Sequence, residues 1–178
     1  MDPSLRKALV IDASVAGSAG TSSYPDSIKC RHFLNRVLRV CHRLAFSHAL
    51  ESEWTRHASR FARRWLTAMT DRGKVERFQL KQDVRLRAEI TLAARSDGER
   101  RKMLDDAHLI EAARHVNGPV ASGDDKARNC FREATHSVRG LRAVVWVNPM
   151  ADADRTLHWL NGGAQAEPDR CLGFGVED

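Results

Sequence analysis

The chain is 178 residues long, 42% hydrophobic and 29% charged, and carries a formal net charge of +6. That length fits one domain with an ordinary buried core; no stretch approaches the roughly 20 apolar residues of a membrane helix, and the N-terminus lacks the apolar centre of a signal peptide, so a cytoplasmic protein off the membrane is the expectation. The 29 Lys and Arg against 23 Asp and Glu favour a polyanionic partner, and the four cysteines (Cys30, Cys41, Cys130, Cys171), without a CxxC pair, are expected as buried free thiols with no zinc.

The first element is the run Ala8-Leu9-Val10-Ile11, which stops on Asp12 and is followed by the small residues Ala13 and Ser14. Four apolar residues bounded by charge suit a strand buried on both faces, as in a parallel sheet covered by helices. Asp12 then stands at the carboxyl end of that strand, where open α/β sheets bind ligands. The competing reading makes Asp12 or Ser14 the N-cap of the next helix.

Gly17 to Ser23 reads as a loop, and a helix begins near Pro25 with Ile28, Phe33, Leu34, Val37, Leu38 and Cys41 as its apolar face. Leu44-Ala45-Phe46, ending on Ser47, reads as the second strand. One long helix is expected from Ala49 to Arg72, with an apolar stripe from Leu50 to Met69 and Gly73 as its stop; Arg56, Arg60, Arg63 and Arg64 recur about once per turn opposite that stripe as a solvated face.

Lys74 to Leu80 is ambiguous, and Gln82 to Arg95 reads as helix. Ser96-Asp97-Gly98 breaks that pattern. A helix over Asp105 to Val116 is closed by Asn117-Gly118-Pro119, and Val120-Ala121 makes a short third strand. Asp125 to Ala134 reads as helix and Ala143 to Val147 as a fourth strand leading into Asn148-Pro149. Residues 1–161 are assigned to the domain, and the Gly-rich residues 162–178 to an irregular tail. Apolar strands alternating with helices imply an α/β fold, a three-layer sandwich around a central parallel sheet, because parallel strands need helical crossovers.

Four acids fall where such a scaffold aims them at one crevice: Asp12 after the first strand, Glu53 early in the helix after the second, Asp106 opening its helix, and Asp124 after the third strand. Three of the four have a competitor close by in sequence. Glu51 competes with Glu53, and Asp105 and Asp125 flank the other two; a helical step of about 100° lets only one of each pair point inward. The alternative role for Asp105 and Asp125 is to cap their own helices. Ser14 and Ser122 are candidates to orient a carboxylate, with turn or cap hydrogen bonds as the alternative. His108, two positions past Asp106, is expected to point away, and no histidine is offered as a ligand. Lys126, Arg128 and Arg132 are candidates for contact with a nucleic-acid backbone, or else ordinary surface.

These pieces resemble the PIN-domain nucleases. Val10-Ile11-Asp12-Ala13-Ser14-Val15 is similar to that family's first strand and first acid, and Ser47 to Trp54 to the segment where its second acid begins a helix. Asp106-Ala107-His108-Leu109-Ile110-Glu111-Ala112-Ala113 resembles its third-acid helix, and Ser122-Gly123-Asp124 its hydroxyl, any-residue, acid motif. The stretch between Gly73 and Leu104 departs from the family pattern. The resemblance implies a PIN-like fold and a metal-dependent nuclease, an endoribonuclease first, with Asp12, Glu53, Asp106 and Asp124 as ligands of Mg²⁺ or Mn²⁺. Hard divalent cations select oxygen donors and keep waters, so clustered carboxylates suit them. It further implies RNA as partner and, for a toxin-type member, a protein antitoxin; a homo-oligomer is a further expectation.

Two other readings compete. A nucleic-acid-binding or scaffolding module of the same shape would keep the fold with acids that no longer bind metal. A phosphatase-like α/β enzyme would use Asp12 as nucleophile and wants a second acid two residues on, where Ser14 stands.

Overall fold

The computed structural model describes residues 6–176. Five parallel strands form one sheet: β1 (Ala8–Ile11), β2 (Arg43–Ser47), β3 (Val75–Phe78), β4 (Val120–Ala121) and β5 (Trp146–Val147), in the order β3-β2-β1-β4-β5. Helices flank the sheet, giving the three-layer α/β sandwich. They are α1 (Ala13–Ser18), α2 (Pro25–Arg39), α3 (His48–His57), α4 (Arg60–Asp71), α5 (Val84–Ala93), α6 (Asp97–Val116), α7 (Asp125–Ala134) and α8 (Ala153–Asn161).

The strand order determines which helices share a layer. From β1 the chain steps outward to β2 and β3, then returns past β1 to β4 and β5. Right-handed crossovers put the outward connections on one face and the returning ones on the other. Accordingly α2 packs on α4, while α6 packs between α5 and α7; α8, which follows the last strand, packs on α2. The direction of winding reverses between β1 and β4, so the crevice at their carboxyl ends is the topological switch point. Register is close there: Val10 pairs with Val120 and Ile11 with Ala121, and the Asp12 amide donates to the Ala121 carbonyl at 2.9 Å.

Leu9, Val10, Ile11, Leu44, Ala45, Val120 and Ala121 are all fully buried, the outcome expected of strands covered on both faces. Lys74, at the mouth of β3, ties the sheet to the end of α2: its ammonium donates to the Val37, Leu38 and Val40 carbonyls at 2.8, 3.0 and 2.5 Å. A cation there meets carbonyls the helix leaves unpaired and the negative end of its dipole.

Several sequence expectations change. The single helix over Ala49–Arg72 is two, α3 and α4, because Ser59 leaves helical geometry and caps α4, its hydroxyl accepting from the Ala62 amide at 3.1 Å. The ambiguous Lys74–Leu80 stretch contains β3, a half-exposed edge strand. Asp106 does not open its helix: Ser96 caps α6 by accepting from the Glu99 amide at 3.2 Å, and Asp106 lies in the third turn. The short α1 and the helix α8 lie outside the elements that the sequence pattern predicts. All four cysteines are free, but only Cys30 is buried.

Beyond α8 the chain turns back to the sheet: Cys171 forms an antiparallel bridge with Val145, the Leu172 amide donates to the Val144 carbonyl at 2.9 Å, and Ala164 and Leu172 are buried.

Candidate metal centre

Asp12 occupies the position before α1, yet its side chain makes no capping bond. Its Oδ2 instead accepts from two hydroxyls, Ser14 Oγ at 2.5 Å and Ser122 Oγ at 2.7 Å. Those hydroxyls accept in turn from the backbone across the switch point, Ser14 Oγ from the Gly123 amide at 3.0 Å and Ser122 Oγ from the Asp124 amide at 3.1 Å. Asp12, only 9% exposed, is thereby fixed to both β1 and the β4–α7 turn. Trp54 braces it from behind, its indole N–H donating to the Ile11 carbonyl at 2.8 Å.

Asp12, Glu53, Asp106 and Asp124 line one open cleft of about 400 Å³, together with Ser14, His57 and Lys102. A second cavity, of about 320 Å³, is lined by Lys7, Asn117, Pro119 and neighbours at the amino ends of β1 and β4 and has no carboxylate in its wall. The sequence competitors face elsewhere. Glu51 pairs with Arg77 at 3.2 Å, Asp105 is exposed on α6, and Asp125 accepts from the Asn148 side-chain amide at 3.0 Å. Neither Asp105 nor Asp125 caps its helix. Asp124 does so itself, its Oδ1 accepting from the Ala127 amide at 2.8 Å.

Two basic groups that sequence reasoning did not place in the site hold its acids. Lys102 Nζ lies 3.0 Å from Asp106 Oδ2 and 2.5 Å from Asp124 Oδ2. Its spacing of four residues before Asp106 is the available sequence signal, since such residues are neighbours on a helix. His108 does not line the cleft, in keeping with its expected direction, yet its Nε2 lies 3.2 Å from Glu53 Oε2 and its Nδ1 2.9 Å from the Asp105 carbonyl. Turning two positions round α6 brings His108 towards α3 rather than solvent. Both the Asp106 Oδ2 and His108 Nε2 contacts are close ion-pair approaches without aligned hydrogen-bond geometry.

These environments shift the titrating groups in defined directions. Burial pushes the Asp106 carboxyl up, and Asp12 and Asp124 add to this against the pull of Lys102. Burial also raises Glu53 and Asp124, but is outweighed: His108, Arg56 and His57 bring Glu53 below its ordinary value, and Lys102 and the Ala127 amide do the same for Asp124. Burial works against protonated Lys102 and His108, yet their carboxylate partners hold both above their ordinary values.

The donor set is of the right kind for a hard divalent cation, since carboxylate oxygens from four chain segments meet in one water-accessible cleft. As they stand, no group of three or more His, Cys, Asp or Glu side chains among the described residues is gathered closely enough to hold a metal ion. Lys102 lies between Asp106 and Asp124, Glu53 is turned to His108, and one oxygen of Asp12 is tied by two serines. Arg56, Arg60, Arg63 and Arg64 are exposed, as are Lys126 and Arg132, with Arg128 half-buried. Among the described residues no helix is long and apolar enough to cross a membrane.

No protein-family model matches the chain, and comparison with curated proteins and with solved structures found no similar protein.

Proposed function

We propose that the chain is a PIN-domain-like, divalent-metal-dependent nuclease, an endoribonuclease in the first instance. The observation that carries the reading is the convergence of Asp12, Glu53, Asp106 and Asp124, from four separate segments, on one cleft at the switch point of a parallel sheet. Such a set of hard oxygen donors would hold Mg²⁺ or Mn²⁺. When bound, the cation supplies activation of water and neutralisation of charge for displacement at phosphorus.

The chain's own residues do the rest. Ser14 and Ser122 fix one oxygen of Asp12 and leave the other for a ligand. The turn Ser122-Gly123-Asp124 places Asp124 Oδ2 beside the cleft while Oδ1 caps α7. Arg56, on the same helix as Glu53, supplies positive charge near it, and His57 adds a ring N–H in the cleft wall, both suited to the phosphate backbone of a bound strand. The net charge of +6 suits the same polyanionic substrate. A protein antitoxin, self-association and a cytoplasmic location rest on the resemblance and the composition alone.

The alternative is an inert nucleic-acid-binding module of the same fold. It is favoured by one observation: the Lys102 ammonium already neutralises Asp106 and Asp124, as it would in a site that no longer takes metal. Incubation with single-stranded RNA, duplex RNA and DNA in Mn²⁺, Mg²⁺ or EDTA separates the two. The nuclease cuts RNA with either cation and stops in EDTA; binding to RNA without cleavage under every condition overturns the proposal in favour of the inert module.

A further inference from the structure

We infer that Lys102 is a built-in competitor of the metal: its ammonium bridges Asp106 and Asp124 in the metal-free protein and must leave before a divalent cation can use them. The inference rests on the metal-site reading above and concerns what sets the affinity of that site.

The atoms involved are the same for both cations. Asp124 has a single uncommitted oxygen, because Oδ1 accepts from the Ala127 amide at 2.8 Å and holds the first turn of α7. The remaining Oδ2 is 2.5 Å from Lys102 Nζ, and Asp106 Oδ2 is 3.0 Å from the same nitrogen. A metal ligated through Asp124 therefore contends with the ammonium for one oxygen. The bridge joins α6 to the N-terminus of α7, two elements otherwise brought together by packing.

Lys102 is built to leave. Its side chain is 37% exposed, and a lysine head is a compact charge on a flexible four-carbon stem that can swing into water without disturbing α6. An arginine would hold two carboxylates through a planar fork and release them less readily. In the metal-free state the ammonium offsets the mutual repulsion of Asp106, Asp124 and Asp12, each of which lines the cleft. The cost is a higher metal concentration needed to fill the site. By linkage, a group that stabilises the empty form weakens binding to the same degree.

Isothermal titration calorimetry with MnCl₂, on the full chain and on Lys102→Met and Lys102→Arg, tests this. Lys102→Met is expected to bind Mn²⁺ about fivefold tighter or more than wild type, the lower end of ordinary coupling between sites. Its thermal midpoint falls in EDTA and recovers with Mn²⁺. Lys102→Arg, which keeps a cation on the same two carboxylates and preserves the bridge, is expected to bind no tighter than wild type. Mn²⁺ binding by Lys102→Met equal to or weaker than wild type overturns the inference and leaves the metal site standing. No heat of Mn²⁺ binding from any of the three folded proteins overturns the metal-site reading and this inference together. If Lys102→Met fails to fold in EDTA, Lys102→Gln replaces it, and unchanged affinity in that variant is equally contradictory.

Discussion

His108 Nε2 and Glu53 Oε2 meet at 3.2 Å across the α3–α6 interface, so a histidine on the far side of Asp106 determines how one acid of the cleft is held. Neighbouring charges act on the pair from both helices: Arg56 and His57 from α3, Asp106 from α6.

The pair makes stability depend on pH in a defined window. Glu53 is held below its ordinary value of 4.5, so its contribution is present above that pH and is lost as pH falls through the folded value. His108 is held above its ordinary value of 6.5, so its contribution is present below 6.5 and is lost as pH rises through the folded value. Both operate in full between these ordinary values. His108→Gln should therefore cost the most stability at about pH 5.5, on the order of 1–3 kcal/mol for breaking a buried charged contact, and clearly less at pH 9. Urea melts of both proteins across that range measure it. His42, whose pKa burial lowers, is common to both proteins and cancels in the difference.

Ser122→Ala should cost about 1–3 kcal/mol, because Ser122 is fully buried and its loss leaves Asp12 Oδ2 short of one donor and the Asp124 amide without its acceptor. Chemical denaturation reads the cost. A variant as stable as wild type would mean that the two hydroxyls at Asp12 are interchangeable.

Trp54→Phe should keep most of the packing against Phe46 and Trp65, whose rings lie 5.5 and 5.9 Å away, but lose the bond to the Ile11 carbonyl. A buried carbonyl without its donor predicts about 1–3 kcal/mol of destabilisation. Because Ile11 directly precedes Asp12, any activity should fall as well, readable in the same nuclease assay.

Two glycines should respond in opposite ways. A Cβ at Gly118 would lie 1.9 Å from the Ala8 carbonyl oxygen, a backbone atom fixed in the sheet, so Gly118→Ala should destabilise by about 2 kcal/mol or more. At Gly123 the same distance is to the terminal methyl of Met150, which can rotate away, so Gly123→Ala should cost less. Thermal melts of the two variants decide the order.

The parts of this structure that sequence patterns reveal are those governed by local rules. Ala8–Ile11 ending on Asp12, the Pro25 start of α2 and the Asn117-Gly118 stop all follow from burial, φ preference and left-handed geometry, and Asn117 indeed has φ of 47°. β3 was illegible because Val75-Glu76-Arg77-Phe78 is an edge strand with charge on it, and a half-exposed edge has no continuous apolar run. Ser96-Asp97-Gly98 has the composition of a break, yet a serine three residues before Glu99 also marks a helix start, which puts Asp106 inside α6 rather than at its opening. The acids of the cleft are legible one by one, but Lys102 beside them and His108 behind Glu53 are not. Their role depends on which helix lies opposite, a tertiary fact that spacing along one helix does not carry.

The most direct test of the account is cleavage of single-stranded RNA by the wild-type chain and by Asp12→Asn, each shown to be folded, in millimolar Mn²⁺ and again in EDTA. Removing a side chain that merely orients a metal ligand typically costs 10–100-fold, so removing the anionic oxygen of Asp12 itself should lower the rate by about 100-fold or more. Mn²⁺-dependent cleavage by wild type, loss of it in EDTA, and a near-inactive Asp12→Asn are the expected results. Cleavage by Asp12→Asn at the wild-type rate, or wild-type cleavage indifferent to EDTA, would contradict the account.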